Sequence, residues 1–139
     1  MKGPIVTGTD GSDTARAAVD EAIGLAKTFG QPLHIVCAYR PSSSKVPAEF
    51  QNAITPHSHV ESVLDEAASR ARVAGVDVET HPVVGDPADA IIDVAEKVGA
   101  DVILIGNRGI GSAKRFVLGN VPSKVVHHSP CSTYVVHTS

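Results

Sequence analysis

The sequence has only two cysteines, Cys37 and Cys131, and both sit in apolar, strand-like segments. Cysteines in such places behave as small buried hydrophobes, which argues against a disulfide framework or a thiolate metal site. There is no long basic run, and the formal net charge is −3. The electrostatic footprint of a DNA- or RNA-binding protein is therefore missing. No apolar run approaches the ~20 residues of a membrane-spanning helix. Met1 to Asp10 holds no apolar core ahead of a cleavage site, so no secretory signal is expected and a cytoplasmic location is. The G-x-x-x-x-G-K-[ST], H-E-x-x-H and G-x-S-x-G patterns are all absent. No residue is assigned a catalytic role on this basis.

What the chain does have is the content of one ordinary globular domain. It spans 139 residues, 42% apolar and 19% charged, long enough to bury a real core. Pro4 to Thr9 reads as a first strand, and Asp10-Gly11-Ser12 turns the chain, with Ser12 as an N-cap. Ala15, Ala18, Val19, Ala22, Ile23 and Ala26 recur at helical spacing, and Gly30 closes that helix. Leu33 to Tyr39 is a second strand. Pro41 to His59 is rich in Ser and Pro, without a sustained period, and reads as a long loop, either functional or disordered. His57 and His59 in it read as solvated loop residues, and no metal is assigned.

A second helix follows over Val60 to Ala71, closed by Gly75, and Val76 to Val84 is a third strand. Pro82 lacks a donor, so that strand belongs at an edge or breaks near its end. Asp86-Pro87 supplies an N-cap and a first-turn proline for a helix closed by Gly99. Val102 to Ile105 is four apolar residues in a row, the pattern of a strand buried on both faces. A last helix over Val121 to His128 and a strand over Cys131 to His137 end the chain. His127-His128 suits the negative end of that helix. Strands alternating with helices imply an α/β domain with an open, five-stranded parallel sheet covered on both faces, Rossmann-like in plan.

The stretch that carries chemistry runs from Gly106 to Ser123, GNRGIGSAKRFVLGNVPS. Glycines allow tight turns and let the backbone approach a ligand. Asn120 reads as the N-cap of the last helix, with Pro122 in its first turn. A helix start beside a glycine-rich loop offers oriented N–H donors and a positive dipole end to phosphate. Lys114 and Arg115 lie between. By itself this is also what a plain strand-to-helix connection would look like. The spacing is more specific. Gly106, two residues, Gly109, nine residues, Gly119 resembles the G-x2-G-x9-G motif of the universal stress protein family, and GTDGS near the start resembles the same family. Asn120 departs from the Ser or Thr usual after the last glycine.

That resemblance implies the strand order 3-2-1-4-5, which makes the first and fourth strands neighbours. It implies that Gly8, Thr9 and Asp10 hold adenine and ribose, and that Ala38 borders the base. It assigns Ile105, Gly106, Gly109, Gly119, Asn120 and Val121 to ribose and phosphate. A carboxylate repels phosphate, so Asp10 belongs at a ribose hydroxyl, or else it only forms the turn. Ala38 could equally be plain core. Arg108 and Lys114 could screen phosphate charge, or else are solvated surface residues. The implied ligand is ATP, with Mg²⁺ as a possible companion, and AMP or cyclic AMP is the alternative. An enzyme that hydrolyses ATP or transfers from it is a second class. It would need a base near the phosphates and a carboxylate for Mg²⁺. The last strand ends the chain at a sheet edge, and pairing with its own copy would make a homodimer.

Overall fold

A computed structural model of the chain describes residues 1–40, 55–56, 59–107 and 118–138. Arg108, Gly109, Lys114 and Arg115 lie outside the described residues, as does most of the long loop. The elements in order are β1 (Ile5–Gly8), α1 (Asp13–Phe29), β2 (Leu33–Arg40), β3 (Thr55–Pro56), α2 (Val60–Val73), β4 (Val78–Val84), α3 (Pro87–Val98), β5 (Val102–Gly106), α4 (Asn120–His128) and β6 (Ser132–Val136).

All pairings are parallel. β1 lies between β2 and β5, with Ile5 opposite Leu33 on one side and Val102 on the other. β4 flanks β2, and β6 flanks β5. The five main strands therefore run β4-β2-β1-β5-β6, which is the order 3-2-1-4-5. One short strand was not expected: β3 pairs through its two residues with Tyr39 and Arg40 of β2. β4 carries Pro82 within its span, opposite Cys37. A proline can sit there because β4 is an edge, and its missing N–H costs no ladder bond on the open side.

Alternation along the strands divides the core in two. Ile5, Leu33, Ile35 and Leu104 face α1 and α2. Val6, Val36, Ile103 and Ile105 face α3 and α4. Leu104 and Ile35 are wholly buried, so truncating either to Ala should cost about 2–5 kcal/mol. α1 buries Ala18, Ala22 and Ala26 beside Val19 and Ile23, and these small side chains let it lie close on the sheet. The buried Thr7 hydroxyl donates to Leu104 O at 3.0 Å across the β1–β5 pair, so its burial leaves no orphan polar group. Cys37 is buried, while Cys131 is only half-buried just ahead of β6.

The helix ends follow local chemistry. Ser12 accepts from Ala15 N and Asp86 from Asp89 N, as N-caps do. Gly30 and Gly99 close α1 and α3 at φ 63° and 67°, a conformation that costs a Cβ-bearing residue more. On the surface, Arg70 of α2 donates to Glu66 at 2.7 Å and to Asp20 of α1. Among the described residues no helix is long and apolar enough to cross a membrane.

Candidate functional site

In a parallel sheet the ligand side is the carboxyl end of the strands, where the order reverses. Here that point lies between β1 and β5. β1 ends at Gly8, and the next residues are held by their own side chains. Thr9 N donates to Val36 O at 2.8 Å, Thr9 Oγ1 accepts from Gly11 N at 3.1 Å, and Asp10 Oδ1 accepts from Ser12 N at 2.9 Å. The turn delivers Ser12 to its capping position at the start of α1. Around it opens a crevice. Val36 and Ala38 of β2 line it beside the β1 turn, as do Ile105 and Gly106 at the end of β5. Ile91 of α3 and Val121 and Pro122 of α4 line it from the helices.

Seven of the ten residues expected at a site line this crevice: Gly8, Thr9, Asp10, Ala38, Ile105, Gly106 and Val121. They come from four elements and meet only in the fold. Gly109 lies outside the described residues. Gly119 and Asn120 are not among the lining residues, and the expected role of Asn120 needs correction. The N-cap of α4 is Gly119, at φ −62° and ψ 168°, and Asn120 is the first helical residue, exposed. The physical reason lies in the backbone. Gly119 C=O accepts the first helical bond, from Ser123 N at 2.9 Å, while Gly119 N donates to Asn107 O at 3.1 Å. Asn120 is thereby one position too late to cap. Asp10 forms its turn, as one of its two readings held, and its second carboxylate oxygen is not used in that bond.

The helix starts differ in charge. α1 begins with Ser12 as a cap and Asp13 in its first turn, and α3 has Asp86 and Asp89. α4 has no capping side chain and no acid in its first turn. Of these three helix starts at the crevice, α4 alone presents its positive end without a negative group of its own. Lys124, one turn along, is not a free cation. It reaches Asp89 at 3.0 Å and Asp86 at 3.2 Å, and hydrogen bonds to Asp89 and then Asp86 raise its pKa. This ties α4 to α3 across the crevice wall.

Three features escaped the sequence. Gly8 is pressed by α3: a Cβ there would lie 2.4 Å from Ile91 Cδ1 and 2.9 Å from Ile91 Cγ1. Packing alone therefore asks for a glycine. Asn107 gathers both ends of the glycine segment and the last strand. Its side-chain oxygen accepts from Thr138 N and Thr138 Oγ1, each at 2.8 Å, its N–H donates to Val136 O, and its C=O accepts from Gly119 N. An Asn directly after the first motif glycine was the available signal. Away from the crevice, His34, Glu79 and His81 bring three ligand atoms within 4.8 Å of one another. The only trace of that in the sequence is Glu-x-His on one strand face.

With this geometry in hand, comparison with known proteins is specific. The family model described as the universal stress protein family matches residues 1–137. A universal stress protein of Mycobacterium tuberculosis is 33% identical over 141 residues, covering 97% of this chain and 96% of the relative. A crystal structure of a universal stress protein in complex with cAMP is 36% identical, with a TM-score of 0.79, covering 99% of this chain and 98% of that one. The universal stress protein from Archaeoglobus fulgidus in complex with dAMP is 26% identical, with a TM-score of 0.72, covering 95% of each chain.

Proposed function

The chain belongs to the universal stress protein family, and from that premise we propose that its crevice binds an adenine nucleotide whose occupancy serves a stress-response signal. One observation carries the reading: the crevice joins an apolar floor to the start of α4, which among the described helix starts lining it is the one without a negative group of its own. Val36 and Ala38 supply apolar surface for a flat base. The Asp10 carboxylate suits a ribose hydroxyl and repels phosphate. The N–H group of Val121, in the first turn of α4, is an oriented donor for phosphate, with that of Asn120 just outside the lining. Pro122 has no N–H, and Ser123 N is already bonded to Gly119 O, so the donor set is short.

ATP is the first reading, from the Gly106–Gly109–Gly119 spacing, with Mg²⁺ as companion to its phosphates. A second reading, cyclic AMP or AMP, is favoured by the relative at 36% identity whose structure is a complex with cAMP. Purified protein is denatured and the released nucleotide identified by chromatography and mass. Titration calorimetry then compares ATP, AMP and cyclic AMP on the protein and on Val121→Glu. That variant puts an acid in the first turn of α4, where the helix dipole tolerates it. It should bind each nucleotide at least about tenfold more weakly, a change of roughly 1.4 kcal/mol. No measurable affinity for any of the three nucleotides would refute the proposal.

We also propose a homodimer through β6. This strand is an edge, and it exposes Tyr134 and Val135. A second copy paired antiparallel would cover both residues.

A further inference from the structure

A second cluster of chemistry lies away from the crevice, on the face of the sheet that α3 covers. Glu79 and His81 are two apart on β4, so they point to the same side. The register puts Glu79 opposite His34 of β2, and His81 opposite Val36. His34 Nδ1 is 2.8 Å from His81 Nε2 and 3.6 Å from Glu79 Oε2. From this geometry we propose that His34, His81 and Glu79 form a binding site for a divalent transition metal of the zinc class. None of the three lines the nucleotide crevice.

Zinc takes imidazole nitrogen and carboxylate oxygen at about 2.0–2.2 Å, in tetrahedral geometry. Ligand atoms in such a shell stand roughly 3.3–3.5 Å apart, from those bond lengths. The separations here, up to 4.8 Å at most, bracket that spacing. His34 is 8% exposed and fixed in the sheet, His81 is half-buried, and the Glu79 side chain is largely exposed and free to swing inward. One ligand is therefore rigid, one is supported, and one can adapt. β4 is an edge strand, so the fourth coordination position faces outward, towards water.

The charge balance also suits a cation. A metal needs neutral imidazoles. Burial, foremost, holds the pKa of both His34 and His81 below the ordinary value. The Glu79 carboxylate opposes that shift, and Lys97, in the last turn of α3, adds to it at His81. The Glu79 carboxylate offsets the Lys97 ammonium, so the site as a whole does not repel a cation. A hydrogen-bonded pair of imidazoles explains two of the three groups. It does not explain a carboxylate within reach of both on the same strand face. Metal binding replaces the His34–His81 hydrogen bond: the imidazole that carries the bridging proton moves it to its other ring nitrogen, which leaves the lone pairs of His34 Nδ1 and His81 Nε2 for the ion. The ion then clasps the edge strand to β2, two residues from the crevice residue Val36.

The test uses the full chain, stripped with chelator, desalted and free of nucleotide. Zn²⁺ is titrated in competition with a chromophoric chelator, and Co²⁺ is added separately to read visible absorption bands. The expected result is one Zn²⁺ per chain with Kd of about 1 μM or tighter, four-coordinate Co²⁺ bands, and a melting temperature raised by about 5 °C or more at zinc a hundredfold above Kd. Glu79→Gln should weaken zinc at least about tenfold and His81→Ala about a hundredfold. Both positions lie at the edge, and melts without zinc report whether they fold. If His81→Ala fails to fold, Glu79→Gln decides. The double variant His127→Ala/His128→Ala should bind as the parent does. Absence of one-to-one binding tighter than about 100 μM would overturn the proposal. So would parental affinity in Glu79→Gln and His81→Ala, which would place the zinc elsewhere.

Discussion

Gly8 offers the sharpest test of the packing behind the crevice. An alanine there places its Cβ 2.4 Å from Ile91 Cδ1 and 2.9 Å from Ile91 Cγ1. The outer atom can swing away by rotation about χ2. The inner one cannot, because Cγ1 moves only with χ1, and a β-branched residue in a helix has essentially one χ1 state. Ile91 is 4% exposed, packed among Val6, Val36 and Val94, so α3 must shift or the rotamer must strain. Overpacking of this kind costs about 1–3 kcal/mol. At about 3 °C per kcal/mol for a chain of this size, the melting temperature should fall by roughly 3–9 °C. Ile91→Ala removes both offending atoms at its own cost of about 2–5 kcal/mol. The double variant should therefore be more stable than the sum of the singles predicts, by about 1–2 kcal/mol. Urea unfolding of the four proteins closes the cycle. A Gly8→Ala change within 0.5 kcal/mol of zero, or a coupling energy indistinguishable from zero, would refute this account. Gly8 would then owe its identity to a ligand rather than to α3.

Further outcomes follow from other parts of the fold. Gly24 is an exposed site within α1 where an added Cβ meets nothing within 4 Å, so Gly24→Ala should stabilise by about 1 kcal/mol; a melting temperature that fell would contradict it. Asn107→Ala removes the acceptor of both Thr138 bonds and should cost about 1–2 kcal/mol, read by urea unfolding, whereas Asn107→Asp should lose less. In chelator, stability should be complete above pH 6.5 and decline as pH falls below it. The buried His34–His81 pair, faced by Glu79 and Lys97, has lowered folded pKa values, so the unfolded chain takes up protons first. His34→Gln should flatten that decline, and an unchanged slope would count against it. Val135→Lys should leave a monomer by sedimentation at micromolar concentration; a variant that stayed fully dimeric would remove β6 as the interface.

Much of this molecule is decided by local chemistry, and that part is legible in the chain. Ser12, Asp86, Gly30 and Gly99 mark helix ends because capping is a matter of one turn of backbone. Four apolar residues ahead of Gly106 mark a strand buried on both faces. The alternation of strands and helices implies the parallel sheet, and the glycine spacing points to the family and, through it, to the strand order and most of the crevice. Tertiary structure decided the rest. Asn120 has the chemistry of a cap, but the bond from Gly119 N to Asn107 O starts the helix one residue earlier. Gly8 is set by a side chain 83 residues away, and Asn107 by the far end of the chain. His34, Glu79 and His81 become neighbours only through the register of β2 and β4. Periodicity and capping act over one to four residues, so sequence carries them. Register, close approach and burial depend on which strands become neighbours, and that is settled only when the whole sheet closes over its two cores.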